Sequence, residues 1–316
     1  MEQNNNFIPL TERARPSVSA AAWLALLAAA GLWAATLLEI FFRPAGVAAR
    51  ELFTVVIYYI PFVLLPVILY GRRRRGLSDG LRLNPMGSIL STLSVMLLGV
   101  LCVYAASAID SVWVGLLDAM GLKEPASGLE TGPGISVTLQ VVTSALIPAV
   151  CEELLFRGVV FSAFEERGTW RAIWLSAAVF ALMHGNLYGL PAYFLVGAMS
   201  GFIVFAMDSL YAGMLFHTTY NAAILVIVHL ISAQPPAAAE AAAISGIGVA
   251  LDVIMTLLMI AGLVVPLNAR RVLAGIEPVP RNRQGLTGRE KALIIAMIAL
   301  MAVNLVVIQV LTQMGW

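Results

Sequence analysis

Charge is what this sequence has least of. Only 12% of its 316 residues are charged against 60% hydrophobic, and mean hydropathy is +0.90, where an ordinary soluble domain carries about 25% charged residues. A chain so apolar cannot hide its side chains in one water-soluble core, so lipid must be part of its solvent. Net charge is only +1. Once the arginines beside apolar runs are assigned, no broad basic face remains, which excludes a nucleic-acid partner. Cysteine is scarce as well: Cys102 and Cys151 both lie in apolar runs. Without a CxxC or a Cys/His cluster they predict neither a disulfide framework nor a structural zinc site. Internal repeats are missing, and the one low-complexity stretch is the Ala-rich loop Pro235–Ala243.

What is there is a series of long apolar runs. The first, Val18 to Phe42, is too long for a secretory h-region and long enough to cross the hydrocarbon, so it reads as a retained first helix. Runs of spanning length bounded by charge, Pro or Gly give nine candidates: 18–42, 51–70, 87–109, 136–164, 171–187, 190–207, 209–231, 245–268 and 291–314. The expected fold is all-α, a polytopic membrane protein of eight to nine helices with a four-helix core. The fifth and sixth runs are short, and if the count is eight, the eighth or ninth is the one to drop. Three parts follow: 1–135 with spans one to three and an acidic outer loop, 136–231 as the core, and 232–316 with the last two spans.

Positive charge orients the array. With the N-terminus inside, 15 of the 19 basic residues fall on inner segments, and only Arg43, Arg50 and Lys123 fall outside. This follows the positive-inside rule. The run Arg72–Arg75 reads as a topological anchor against anionic headgroups. The loop 110–135, with Asp110, Asp118, Glu124 and Glu130, is acidic and outer. An Ala-rich chain with short loops points toward a bacterial inner membrane.

Ionisable groups inside spans cost about 2.5–3.5 kcal/mol each at mid-bilayer, and each is a functional hypothesis by default. Here they concentrate in the fourth, fifth and seventh runs: Glu152-Glu153-x-x-x-Arg157, Phe180-x-x-x-His184 and His217-x-x-x-Asn221. Glu153 and Arg157 are an i,i+4 pair with the acid N-terminal and can neutralise each other. Glu152 points about 100° away and has no partner on its own helix, which suits it to accept and return protons. Pro148, one turn upstream, frees a backbone carbonyl and is expected to kink the helix. Counting ~1.5 Å per residue from the inner turns puts Glu152, His184 and Asn221 at a similar depth of roughly 20 Å.

A carboxylate, two imidazoles and a carboxamide sheltered from bulk water suit hydrolysis. In one version Glu152, assisted by His184, activates a water, and His217 and Asn221 donate to the oxyanion. In the other, His184 and His217, with Glu152, hold a zinc that activates the water. The spacing is not HExxH, and Cys151 reads as packing rather than as a nucleophile.

These three motifs, in order and on separate helices, resemble those of the CAAX protease and bacteriocin-processing (CPBP, or ABI) intramembrane endopeptidases over roughly residues 136–231. The resemblance implies a glutamate-dependent endopeptidase. In it Glu152 is the base aided by His184, His217 and Asn221 form the oxyanion site, and Glu153 and Arg157 support them. The family has also been described as metalloproteases, so zinc stays open as a cofactor beside none. Eukaryotic relatives trim three residues from prenylated CaaX proteins, and bacterial relatives are linked to bacteriocin processing and self-immunity. The implied partners are the bilayer and a membrane-associated or lipid-modified peptide or protein.

Structural readings stand beside these. Each polar residue can knit helices together, and for Glu153–Arg157 the scaffolding role is the favoured one. Phe180 and Phe216 read as packing, Glu39 with Arg43 as an interfacial pair, and Asp252 as a cavity residue without a named partner. His229, Asn304 and Gln309 read as interhelical contacts or interface residues. Two other functions remain: a catalytically silent binding or immunity protein of the same fold, and a proton-coupled transporter. The second predicts inverted repeats, which the sequence does not show.

Overall fold

A computed structural model of the chain describes residues 15–42, 44, 46–72, 80–122, 137–232, 246–273, 275, 276, 279 and 285–313. Among these there are helices and no strand. Helix α1 is Val18–Phe41, opened by the Ser17 side chain accepting from the Ala20 N–H. Helix α2 runs Val47–Thr54, through a π-helical stretch Val55–Tyr59, to Ile60–Gly71. Helix α3 is Ile89–Ala119, and α4 spans Val137–Arg167. The remaining helices are α5 Thr169–Met183, α6 Leu190–Met207, α7 Leu210–Ser232, α8 Gly246–Leu273 and α9 Gly288–Gln313.

Eight of the nine are long and apolar enough to cross a membrane, and the chain is an integral membrane protein of the all-α class. The exception is the fifth, at 15 residues, so the helix to question is not the eighth or ninth. It stops early because Gly185 adopts φ +62° and Asn186 Oδ1 accepts from the Tyr188 N–H at 2.9 Å, a turn that continued helix could not make. The third helix is longer than its apolar run: Asp110 and Asp118 sit on α3 rather than in an outer loop. The side chains of Glu39 and Asp252, together with Arg13, Arg43, Arg73–Arg75, Lys123, Glu124, Glu130, Pro235–Ala243, Arg281 and Arg283, lie outside the described residues.

Of the eight helices long enough to span, α4 and α6 are innermost, with 61% and 67% of their apolar windows buried against at most 39% for the other six. Around α4 pack α1, α2, α5, α6 and α7; α3 covers α6, α7 and α8, and α9 lies on α1 and α5. Small residues permit the closest approach, as elsewhere in membranes. A Cβ on Gly197 of α6 would lie 2.9 Å from Ala177 Cα of α5.

The arginine-bearing turns gather at one end of the bundle. Arg82 bonds Glu165, Arg15 lies 3.3 Å from the same carboxylate, and Asn84 Nδ2 donates to the Asp208 carbonyl at 2.8 Å. Arg167 donates to Gly285 O at 3.3 Å and stands 4.0 Å from Glu290. Burial alone would lower the Arg82 pKa, but Glu165 and Asp208 outweigh it and hold the pKa above the ordinary arginine value. These contacts join, at one end of the bundle, the segments before α1, α3, α5, α7 and α9 of the described residues.

Candidate active site

The glutamates sit where α4 departs from α geometry. Residues Val141–Leu146 are π-helical, Ile147–Glu153 return to α, and Leu154–Phe161 are π-helical again. Proline supplies the physical reason upstream: Pro148 has no N–H to give and crowds the carbonyl one turn back. The chain answers by widening the turn before it, and α2 does the same just before Pro61. π-Helical turns of this kind recur at functional sites.

Glu153 is fully buried and fully engaged. Its Oε1 accepts from Arg157 Nη1 at 2.8 Å and from His217 Nδ1 at 3.1 Å, while Oε2 accepts from Ser200 Oγ at 2.6 Å. Space for that carboxylate exists because residue 213 is glycine: a Cβ there would stand 2.9 Å from Oε2 and 2.6 Å from Val204 Cγ2. Arg157 uses its second nitrogen on the Gly197 carbonyl at 2.6 Å and lies 4.8 Å over the Phe180 ring, a cation–π contact. The i,i+4 pair expected from spacing is therefore present, and it ties α4 to α5, α6 and α7.

Glu152 is its opposite. It is 8% exposed, and its carboxylate accepts no hydrogen bond from any described residue. Two imidazoles face it instead: His184 Nε2 at 4.0 Å and His217 Nε2 at 3.8 Å from Oε2. Each ring is fixed from behind. His184 Nδ1 lies 2.8 Å from the Phe180 carbonyl, which can only accept, so Nδ1 carries the hydrogen. His217 Nδ1 meets the Glu153 carboxylate and carries one for the same reason. Both Nε2 atoms thus present lone pairs toward Glu152 when the rings are neutral. Three acceptors converge on one point, too far apart to bond directly and spaced for a bridging water. Aromatic rings hold the plates in place: Phe180 packs edge-on to both imidazoles, at 4.6 and 5.5 Å, and Tyr193 stacks on His184 at 4.0 Å.

Five of the sequence-derived residues are thus brought together: Glu152, Glu153, Arg157, His184 and His217. Asn221 lies one turn beyond His217 on α7, half-buried, and is hydrogen-bonded to none of them. Ser200 and Tyr193 were not anticipated, although a serine in the middle of the sixth apolar run is a signal of the kind that exposed the others. Gln309 of α9 donates to Tyr188 Oη at 3.1 Å, in the turn between α5 and α6 rather than on a facing helix. His229 instead bonds the Leu225 carbonyl of its own helix at 2.9 Å. Cys102 and Cys151 are buried and free.

Glu152 and His184 open onto a cavity of about 180 Å³. A larger concavity of about 670 Å³, walled by Trp170, Trp174, Phe194 and Phe202 on α5 and α6, holds none of these polar groups. A zinc ion fits the donors in kind but not in arrangement: among the described residues no three His, Cys, Asp or Glu side chains are placed to hold a metal.

Residues 134–223 match the family model described as type II CAAX prenyl endopeptidase Rce1-like. No curated protein and no solved structure matches the chain. The matched segment runs from just before α4 into α7 and contains every residue of the cluster.

Proposed function

We propose, from the match of residues 134–223 to the family model described as type II CAAX prenyl endopeptidase Rce1-like, that this chain is a CPBP-family, CAAX-type intramembrane endopeptidase that hydrolyses a peptide bond near the C-terminus of a membrane-associated or lipid-modified protein. The observation that carries the reading is the convergence of His184 Nε2 and His217 Nε2 on the unbonded Oε2 of Glu152, at 4.0 and 3.8 Å. A water in that gap is polarised by the carboxylate and gives it a proton as its oxygen attacks the carbonyl carbon. His184 Nε2 takes the proton on and passes it to the departing amine as the C–N bond breaks. In the state with a second proton on Nε2, His217, held at Nδ1 by Glu153, donates to the oxyanion instead of accepting from the water, with Asn221 as second donor once substrate is bound. Glu153, Arg157 and Ser200 act through His217 and are positioning residues.

The test is cleavage by the purified full-length protein in detergent of a library of C-terminal peptides, with and without a prenylated cysteine. Wild type should cleave a subset and Glu152→Ala should cleave none. Equal cleavage by both would remove Glu152 from the mechanism.

A further inference from the structure

The cavity before Glu152 is walled largely by helices outside the matched segment. Helix α1 supplies Leu32 and Thr36, α2 supplies Tyr58, Tyr59 and Phe62, and α9 supplies Asn304 and Ile308. Two of the polar groups on that wall are engaged: the Thr36 hydroxyl donates to the Leu32 carbonyl at 3.0 Å and meets Tyr58 Oη at 3.2 Å. The Tyr59 hydroxyl makes no hydrogen bond to any described residue, and Asn304 is the other unengaged group. It is half-buried, it faces the cavity, and its carboxamide makes no hydrogen bond to any described residue.

Two independent measures place it at the reacting level. The start of α9 is tied to the end of α4 by Arg167, which bonds Gly285 O at 3.3 Å and stands 4.0 Å from Glu290. Asn304 lies fourteen residues past Glu290, and Glu152 fifteen before Arg167. At ~1.5 Å per residue of α-helix Asn304 rises roughly 21 Å, and Glu152 stands at a comparable level, its count shortened by the wider turns of Leu154–Phe161. Sideways, Asn304 Nδ2 lies 3.0 Å from where a Cβ on Gly185 would be. Gly185 directly follows His184, and having no side chain it leaves the amide close to that turn.

A carboxamide offers an acceptor and two donors, and this one stands unpaired among the described residues on the wall of a cavity that also holds Glu152 and His184. The ligand that satisfies both of its edges at once is another amide. We propose that Asn304 is a substrate-binding residue: Oδ1 accepts from a peptide N–H and Nδ2 donates to a peptide carbonyl, holding the substrate backbone across the cavity so that its scissile carbonyl faces Glu152. The inference rests on the endopeptidase reading. It adds that α9, beyond the matched core, sets how tightly peptide is held.

The probe is a fluorescent peptide ending in a farnesylated cysteine followed by three residues, used with full-length protein in detergent. Binding is read by anisotropy on a Glu152→Gln background, and turnover on an otherwise wild-type one. Asn304→Ala and Asn304→Leu should each raise Kd and KM about tenfold, with kcat changed less than twofold and the thermal midpoint unmoved. Unchanged Kd and KM alongside an inactive Glu152→Ala would overturn the role of Asn304 and leave the endopeptidase reading standing. A lowered thermal midpoint with unchanged Kd would make Asn304 an interhelical contact and likewise overturn it. Equal cleavage by wild type and Glu152→Ala would sink the endopeptidase reading instead, and the anisotropy result would still judge Asn304. Failure of every variant to bind the peptide overturns the proposal.

Discussion

Replacing Glu153 by glutamine should cost the fold dearly, and the same change at its neighbour Glu152 should cost it almost nothing. Glu153 and Arg157 are both fully buried, with Nη1 and Oε1 2.8 Å apart. At an effective dielectric of ~20, unit charges at that separation attract by about 6 kcal/mol, most of it spent against desolvation while the pair is intact. Glutamine removes the attraction and leaves Arg157 charged and buried. Its carbonyl still accepts from Arg157 and His217, and the Ser200 hydroxyl can reverse to accept from its amide, so the hydrogen-bond count is nearly preserved. What is lost is the charge. Breaking a buried pair in this way costs about 3–5 kcal/mol. Glu152 gives up no hydrogen bond on the same substitution and should stay within about 0.5 kcal/mol of wild type. The assay is unfolding of purified protein in detergent, by heat and by SDS titration, with turnover measured in parallel. Glu152→Gln should be inactive and fully stable; Glu153→Gln should be inactive and unstable. The double variant Glu153→Gln with Arg157→Met should regain most of the lost stability but no activity, because a neutral carboxamide behind Nδ1 no longer supports the charged form of His217 that donates to the oxyanion. Equal unfolding midpoints for the two single variants would refute the division of labour between these acids.

Two further outcomes follow from the same geometry. Gly213→Ala should lose about 1–3 kcal/mol by overpacking and lower kcat more than KM, since the new methyl meets Glu153 Oε2 at 2.9 Å; wild-type kinetics would show that the carboxylate position is not critical. Prolonged dialysis against a chelator should leave peptide cleavage intact, and a loss restored by added zinc would overturn the metal-free mechanism.

Local pairings were legible in the sequence, and long-range ones were not. The Glu153–Arg157 bond follows from helical spacing, and it survives even though a π-helical stretch begins at Leu154. The common depth of Glu152 and His184 followed from counting residues to charged turns. The link from His217 to Glu153 joins residues 64 apart in sequence, and periodicity on one helix says nothing about which neighbour it faces. For the same reason His217 was paired in expectation with Asn221 on its own helix rather than with the acid across from it. Helix α5 was read too long because its apolar run continues to Leu187. The ending is encoded in the glycine after His184, whose positive φ is a familiar helix stop. Asn304 looked like ordinary interhelical glue, and only the packing of α9 beside α5 reveals that it opens onto the cavity.

The tethering of both imidazoles through Nδ1 has a consequence for how such a site can work in lipid. Neither ring can turn to hand a proton outward, because turning would break the bond to the Phe180 carbonyl or to Glu153. In the proposed reaction the hydrogen taken from the attacking water passes to the nitrogen that leaves. The products, one carboxylate and one ammonium, together account for both hydrogens of that water. If the proposed hydrolysis takes place here, water and peptide alone balance its protons, and imidazoles held in this way would keep the transfer within the site.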